Sequence, residues 1–149
     1  MKSVTQVEFD ALIADRTKRI EGPIAWIPDQ SGTVFEFRVK VISAGGDQLT
    51  IKGSHNRKLG KTTYTLFSTD RIFGADYDRK HGDAGSFHVH RWDANRQTST
   101  ATKADAGIEI GKDPLRLWKW FCEQAHIKHE GGALAPLPPV QRSLFGGTN

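Results

Sequence analysis

The chain has 149 residues, 37% of them apolar and 26% charged, the make-up expected of one soluble domain of ordinary size. No run approaches the roughly 20 consecutive apolar residues of a membrane-spanning helix, and no apolar signal core follows the first residues, so a cytoplasmic protein without membrane contact is expected. A single cysteine, Cys122, excludes an internal disulfide and a thiolate-rich zinc site, while a net charge of +4, from 21 basic and 17 acidic side chains, permits nucleic-acid contact without demanding it.

Thr5 and Glu8 have the spacing of a capping box, and Phe9, Leu12, Ile13, Arg16 and Ile20 follow at helical intervals with only Arg16 polar. This predicts an amphipathic helix that runs on to Gly22-Pro23, where proline ends it. Between residues 24 and 92 the period changes to two. Phe35, Phe37, Val39 and Val41 then share one face of a strand, and Glu36, Arg38 and Lys40 share the other. Ala44-Gly45-Gly46-Asp47 supplies a hairpin turn, and Leu49 and Ile51 lead the returning strand. Further strands are expected over 62–68, 71–75 and 87–92.

Residues 93–112 are rich in Thr, Ala and Gly and show little period, which predicts an irregular connection with a short edge strand at 108–110. Asp113-Pro114 opens a second helix, since the carboxylate caps free amides and proline sits where no donor is needed. Leu117, Trp118, Phe121, Cys122 and Ala125 form its buried stripe, with Trp120 on a flank. Together these elements predict an α+β fold over residues 1–130: an antiparallel sheet of about five or six strands packed by an N-terminal and a C-terminal helix. Residues 131–149 contain prolines and glycines but no acidic side chain, and read as a flexible tail.

Within that tail stands Gln141-Arg142-Ser143-Leu144-Phe145, flanked by Pro138-Pro139 and Gly146-Gly147. The segment resembles Gln-x-Ser/Asp-Leu-Phe, the short peptide by which bacterial replication and repair proteins bind the sliding clamp (beta subunit) of the DNA polymerase. Gln141, Ser143, Leu144 and Phe145 match its four fixed positions. An extended segment of this kind offers a glutamine amide for polar recognition and two adjacent apolar side chains for a cleft. Burial of Leu144 and Phe145 is worth roughly 1.5 to 3 kcal/mol each, and the cost of ordering the peptide leaves micromolar binding. The bland alternative is an apolar latch in which both side chains fold back on the body.

A small α+β protein ending in such a peptide looks like the SocB-type bacterial toxins. That resemblance implies a non-enzymatic toxin that occupies the clamp cleft, excludes replication factors and stalls elongation, with a SocA-like antitoxin acting as an adaptor to the ClpXP protease.

A second constellation comprises Asp76, Asp78, His81 and Asp83, followed by His88 and His90, whose spacing puts both imidazoles on one strand face. His88-Val89-His90-Arg91 is similar to short His-x-His-Arg segments of a few small toxins that act on RNA. The alternative function is therefore a metal- or acid-base-assisted ribonuclease or nuclease using His81, His88, His90 and Asp83, with Arg79, Lys80 and Arg91 holding phosphate and the tail as recruiter, and a third is a body that binds nucleic acid without reaction. The plainer assignment is a solvated loop beside hydrogen-bonded strand histidines. No third ligand at a diagnostic spacing accompanies them, so neither a metal nor a cofactor is expected. His55-Asn56-Arg57-Lys58, with Lys61, is either a basic hairpin tip in water or a phosphate contact, and Cys122 reads as an inert core thiol.

Overall fold

The computed structural model describes residues 6–78, 86–93, 98–103 and 113–139. Helix α1 (Gln6–Ala14) buries Phe9 and Ile13 but stops well before Gly22, earlier than the apolar spacing predicts. The cause is local. Asp15 Oδ1 accepts from the Thr17 amide at 2.8 Å and the Thr17 hydroxyl at 2.7 Å, which turns the chain. Lys18 then folds back, and its ammonium donates to the carbonyls of Leu12, Ile13 and Asp15 at 2.5 to 2.8 Å, occupying acceptors that a helix end leaves open. Lys18 is fully buried, and burial pushes its ammonium pKa down to about 8 against the opposing pull of Asp15 and Asp47. Ile20, expected on the helical stripe, is instead the buried centre of strand β1 (Arg19–Glu21). Thr5 lies outside the described residues.

An antiparallel meander follows: β2 (Ile27–Pro28), β3 (Val34–Val41), β4 (Leu49–Asn56), β5 (Lys61–Phe67), β6 (Arg71–Asp78), β7 (Ser86–Asp93) and β8 (Thr98–Lys103), each paired with the next. Six of these are full-length strands, as the α+β reading requires. The register aligns Phe37, Gly53, Tyr64 and Ala75 across four strands, and Val39, Ile51, Leu66 and Phe73 in the next row. All of these except the half-buried Val39 are buried, so one face is the core face. Gly53 is glycine because the Phe37 ring lies on it: a Cβ there would sit 2.1 Å from Phe37 Cε2. An irregularity at Leu66/Phe67 shifts the register, and Ile72 and Phe73 are both fully buried beside it.

Strand β8 corrects the expected irregular connection. It lacks apolar alternation, but its threonines suit an extended edge. The edge strand expected at 108–110 lies outside the described residues.

Helix α2 (Pro114–Gln124) begins as predicted, with Asp113 extended and its carboxylate accepting from the Leu115 amide at 2.9 Å. Leu117, Trp118, Phe121 and Cys122 pack onto the sheet. Trp118 meets Phe37 and Tyr64 with ring centroids 5.6 and 5.2 Å away, and Phe121 stacks on Phe73 at 5.6 Å. The Tyr64 hydroxyl donates to the Pro114 carbonyl at 2.7 Å, tying the start of α2 to the middle of β5. Trp120 covers Phe87, centroids 5.0 Å apart.

Past α2 the chain forms β9 (Lys128–Glu130), which pairs in parallel with β1. The stretch from Gly131 to Pro139, expected at the start of the tail, is laid along the body instead. Leu134 is buried, the Ile24 amide donates to the Ala133 carbonyl at 3.0 Å and the Ala135 amide to the Ile24 carbonyl at 2.8 Å, and the Trp26 indole donates to the Ala135 carbonyl at 3.0 Å. Gly132 passes so close to Pro23 that a Cβ would meet its nitrogen at 2.5 Å. Among the described residues, no helix is long and apolar enough to cross a membrane.

Candidate functional site

The face of the sheet turned away from the helices carries the side chains that alternate with the core. Register places Asp76 opposite His88 and Gly74 opposite His90, so β6 delivers one carboxylate between two imidazoles of β7. His90 Nε2 lies 3.0 Å from Asp76 Oδ2, and His88 Nδ1 lies 3.8 Å from Asp76 Oδ1. The two rings have centroids 6.5 Å apart. The hydrogen bond to Asp76 orients the His90 ring, while His88 lies at ion-pair distance from the same carboxylate, an arrangement from which histidine acts as an acid or base.

Asp76 and His90 stand at one side of a cavity of about 590 Å³ on this face, with Ser54, Thr63 and Thr65 supplying hydroxyls and Lys52, Lys61 and Arg71 supplying cations. Lys52 also pairs with Glu36 at 3.2 Å. Hydroxyls and cations around an oriented imidazole are suited to an anionic, oxygen-rich ligand such as a phosphate ester. Among the described residues no group of three or more His, Cys, Asp or Glu is arranged to hold a metal ion.

Of the residues singled out from sequence, Asp76, His88 and His90 converge. Asp78 lies two positions along β6, opposite Ser86 and Lys61. His81 and Asp83 lie outside the described residues, as do Arg79 and Lys80, and so do Gln141, Ser143, Leu144 and Phe145. Arg91 does not join the histidines: it falls on the other side of the strand alternation, and its guanidinium lies over the Phe73 ring at 5.1 Å. Lys61, singled out with the basic hairpin tip, lines the cavity, and the signal that would have added Lys52 and Arg71 is strand alternation on β4 and β6, combined with a register that the sequence does not print.

The basic hairpin tip is largely consumed internally. His55 turns inward, its Nδ1 2.8 Å from the Thr62 hydroxyl, and burial together with the Arg57 charge depresses its pKa. The Arg57 guanidinium lies over Phe35 at 4.6 Å and donates to the Pro138 carbonyl. Arg57 thus fastens the chain at Pro138, three residues before Gln141. Cys122 is buried as expected, and burial raises its thiol to about 12, far from a reactive thiolate.

Comparison of the chain with protein-family models, with curated proteins and with solved structures finds no match.

Proposed function

We propose that the protein binds the bacterial DNA polymerase sliding clamp through Gln141-Arg142-Ser143-Leu144-Phe145, competes there with replication factors and blocks elongation without catalysing a reaction. The carrying observation is the match of Gln141, Ser143, Leu144 and Phe145 to all four fixed positions of the clamp peptide. Gln141 anchors by hydrogen bonds, Ser143 sets the backbone, and Leu144 and Phe145 fill the cleft, while Arg142 matters least. The geometry adds a constraint. Pro138 is held on the body by Arg57, and Gln141 is three residues further on, so the anchor lies within about 10 Å of Pro138 even at full extension. The clamp is therefore met by a body at close quarters. In this reading the protein acts in the bacterial cytoplasm at replication sites, and a SocA-like adaptor hands it to ClpXP.

The test is capture of purified clamp by the full chain and by a peptide spanning Pro138 to Gly147. Micromolar capture by the peptide is expected, as is its loss, along with loss of toxicity, in a Leu144→Ala/Phe145→Ala variant whose thermal unfolding is unchanged. Retained clamp binding by that variant would falsify the reading.

A second reading is favoured by one observation, the Asp76 carboxylate held between His88 and His90 beside a hydroxyl- and cation-lined cavity. It makes the body a ribonuclease or nuclease. Toxicity lost in His88→Ala/His90→Ala with clamp capture intact favours the enzyme, and toxicity retained removes it.

A further inference from the structure

The charges of the polar sheet face are sorted by row. Register sets Arg38 opposite Lys52 and Lys52 opposite Thr65, and in the adjacent row sets Lys40 opposite Thr50, Thr50 opposite Phe67 and Phe67 opposite Arg71. Rows two residues apart along a strand are separated by roughly 6.8 Å. These two rows hold four Lys or Arg side chains and no carboxylate. Glu36, Asp76 and Asp78 all fall in the rows beyond, and Glu36 reaches across to pair with Lys52 at 3.2 Å. Arg38, Lys40 and Arg71 are exposed, and the Lys52 side chain is 41% exposed.

Phe67 stands among this cationic pair of rows. Phe67 is half-buried on the polar side of β5, where alternation otherwise places Thr63 and Thr65, and the Arg38 guanidinium lies over it at 5.6 Å. An apolar ring on a face of threonines and cations adds nothing to the core on the opposite side. A stacking surface framed by positive charge and hydroxyl donors complements an anionic backbone that carries unpaired bases, because every base has a π-face and every linkage a phosphate. A duplex keeps its bases stacked on one another and has no such use for Phe67.

We infer that the polar sheet face binds single-stranded nucleic acid, with Arg38, Lys40, Lys52 and Arg71 meeting phosphates and Phe67 stacking on a base. This inference is independent of the clamp reading; Lys52 and Arg71 line the cavity that also holds Asp76 and His90, but the binding needs no reaction at His88 or His90. The binding is sequence-tolerant, since charge and stacking do not read base edges.

The experiment measures fluorescence anisotropy of labelled oligothymidine and oligouridine of about 12 nucleotides, a length within the range that sheet-based single-strand sites cover. It uses the full chain carrying Leu144→Ala and Phe145→Ala, so that the outcome is separate from clamp binding. Micromolar affinity is expected at about 50 mM salt, with log K falling against log salt at a slope of roughly −2 to −3 for three to four phosphate contacts. Lys52→Glu/Arg71→Glu weakens binding about tenfold or more and flattens the slope. Phe67→Leu weakens it by a smaller factor and leaves the slope unchanged, because it removes stacking and no charge. Thermal unfolding of each variant must match the parent, and Lys52→Gln/Arg71→Gln serves if charge reversal disturbs the fold. Absence of binding at low salt, equal affinity of the charge-reversed variant, or equally tight binding of the matching duplex overturns the inference.

Discussion

The two faces of the meander are built from alternate residues of the same strands, yet they answer to different physics. On the inner face Phe37, Tyr64, Phe73 and Ala75 are chosen by volume: Gly53 yields its side chain to the Phe37 ring, and Trp118 and Phe121 of α2 close over the rest. On the outer face Arg38, Lys52, Thr65 and His90 occupy intervening positions, where size is unconstrained and charge and hydrogen bonding decide. Residues one step apart on a strand are thus under unrelated demands. One face fixes what the molecule is, and the other is left to fix what it touches.

Substitutions can break or sharpen this contrast. Phe121→Ala empties space among Tyr64, Phe73 and Trp118 around a fully buried ring, and should lower stability by about 3–5 kcal/mol in urea unfolding. Gly53→Ala pushes a methyl against the Phe37 ring, which can tilt only by disturbing Trp26 and Trp118, and should cost about 1–3 kcal/mol.

Cys122 gives a pH signature to the inner layer. Its folded thiol, raised to about 12, lies above the ordinary value of 9.0, so the stability due to the neutral thiol is complete below pH 9 and is lost as pH rises from 9 toward 12. From about pH 8 to about pH 10 the parent should therefore lose about 1 kcal/mol more than Cys122→Ala, as read from paired urea titrations. On the outer face Thr63→Ala or Thr65→Ala should change stability by no more than about 0.5 kcal/mol. A loss there as large as that of Phe121→Ala would end the distinction between the faces.

What could be read in advance follows the same division between local and long-range causes. The cap Asp113-Pro114, the stripe of α2 and the alternation of β3 are written within a dozen residues, and each appears as expected. Apolar spacing alone overextends the first helix, because Ile20 satisfies a helical spacing as well as a strand pattern, while the turn that ends α1 depends on Lys18 reaching back to three carbonyls. Strand β8 has no apolar alternation to announce it. The placement of 131–139 rests on partners such as Ile24 and Trp26, more than a hundred residues earlier. At the candidate site the shared face of His88 and His90 was legible from their spacing, but Lys52 and Arg71 enter through registers across three other strands.

The parallel pairing of β1 with β9 has a consequence for assembly. Every strand of the meander finds its neighbour within a short stretch of chain, so the sheet can zip from turn to turn at little loop-closure cost. The seam between β1 and β9 joins residues near 20 to residues near 130 and forms only after nearly the whole body has been synthesised. A nascent chain still held at the ribosome through α2 would therefore carry a paired meander with Ile20 and Ile24 uncovered. Clasping the two ends together closes the longest loop in the body, and fragments from a cut between β8 and α2 are expected to recombine more slowly than the intact chain refolds, as stopped-flow mixing would show.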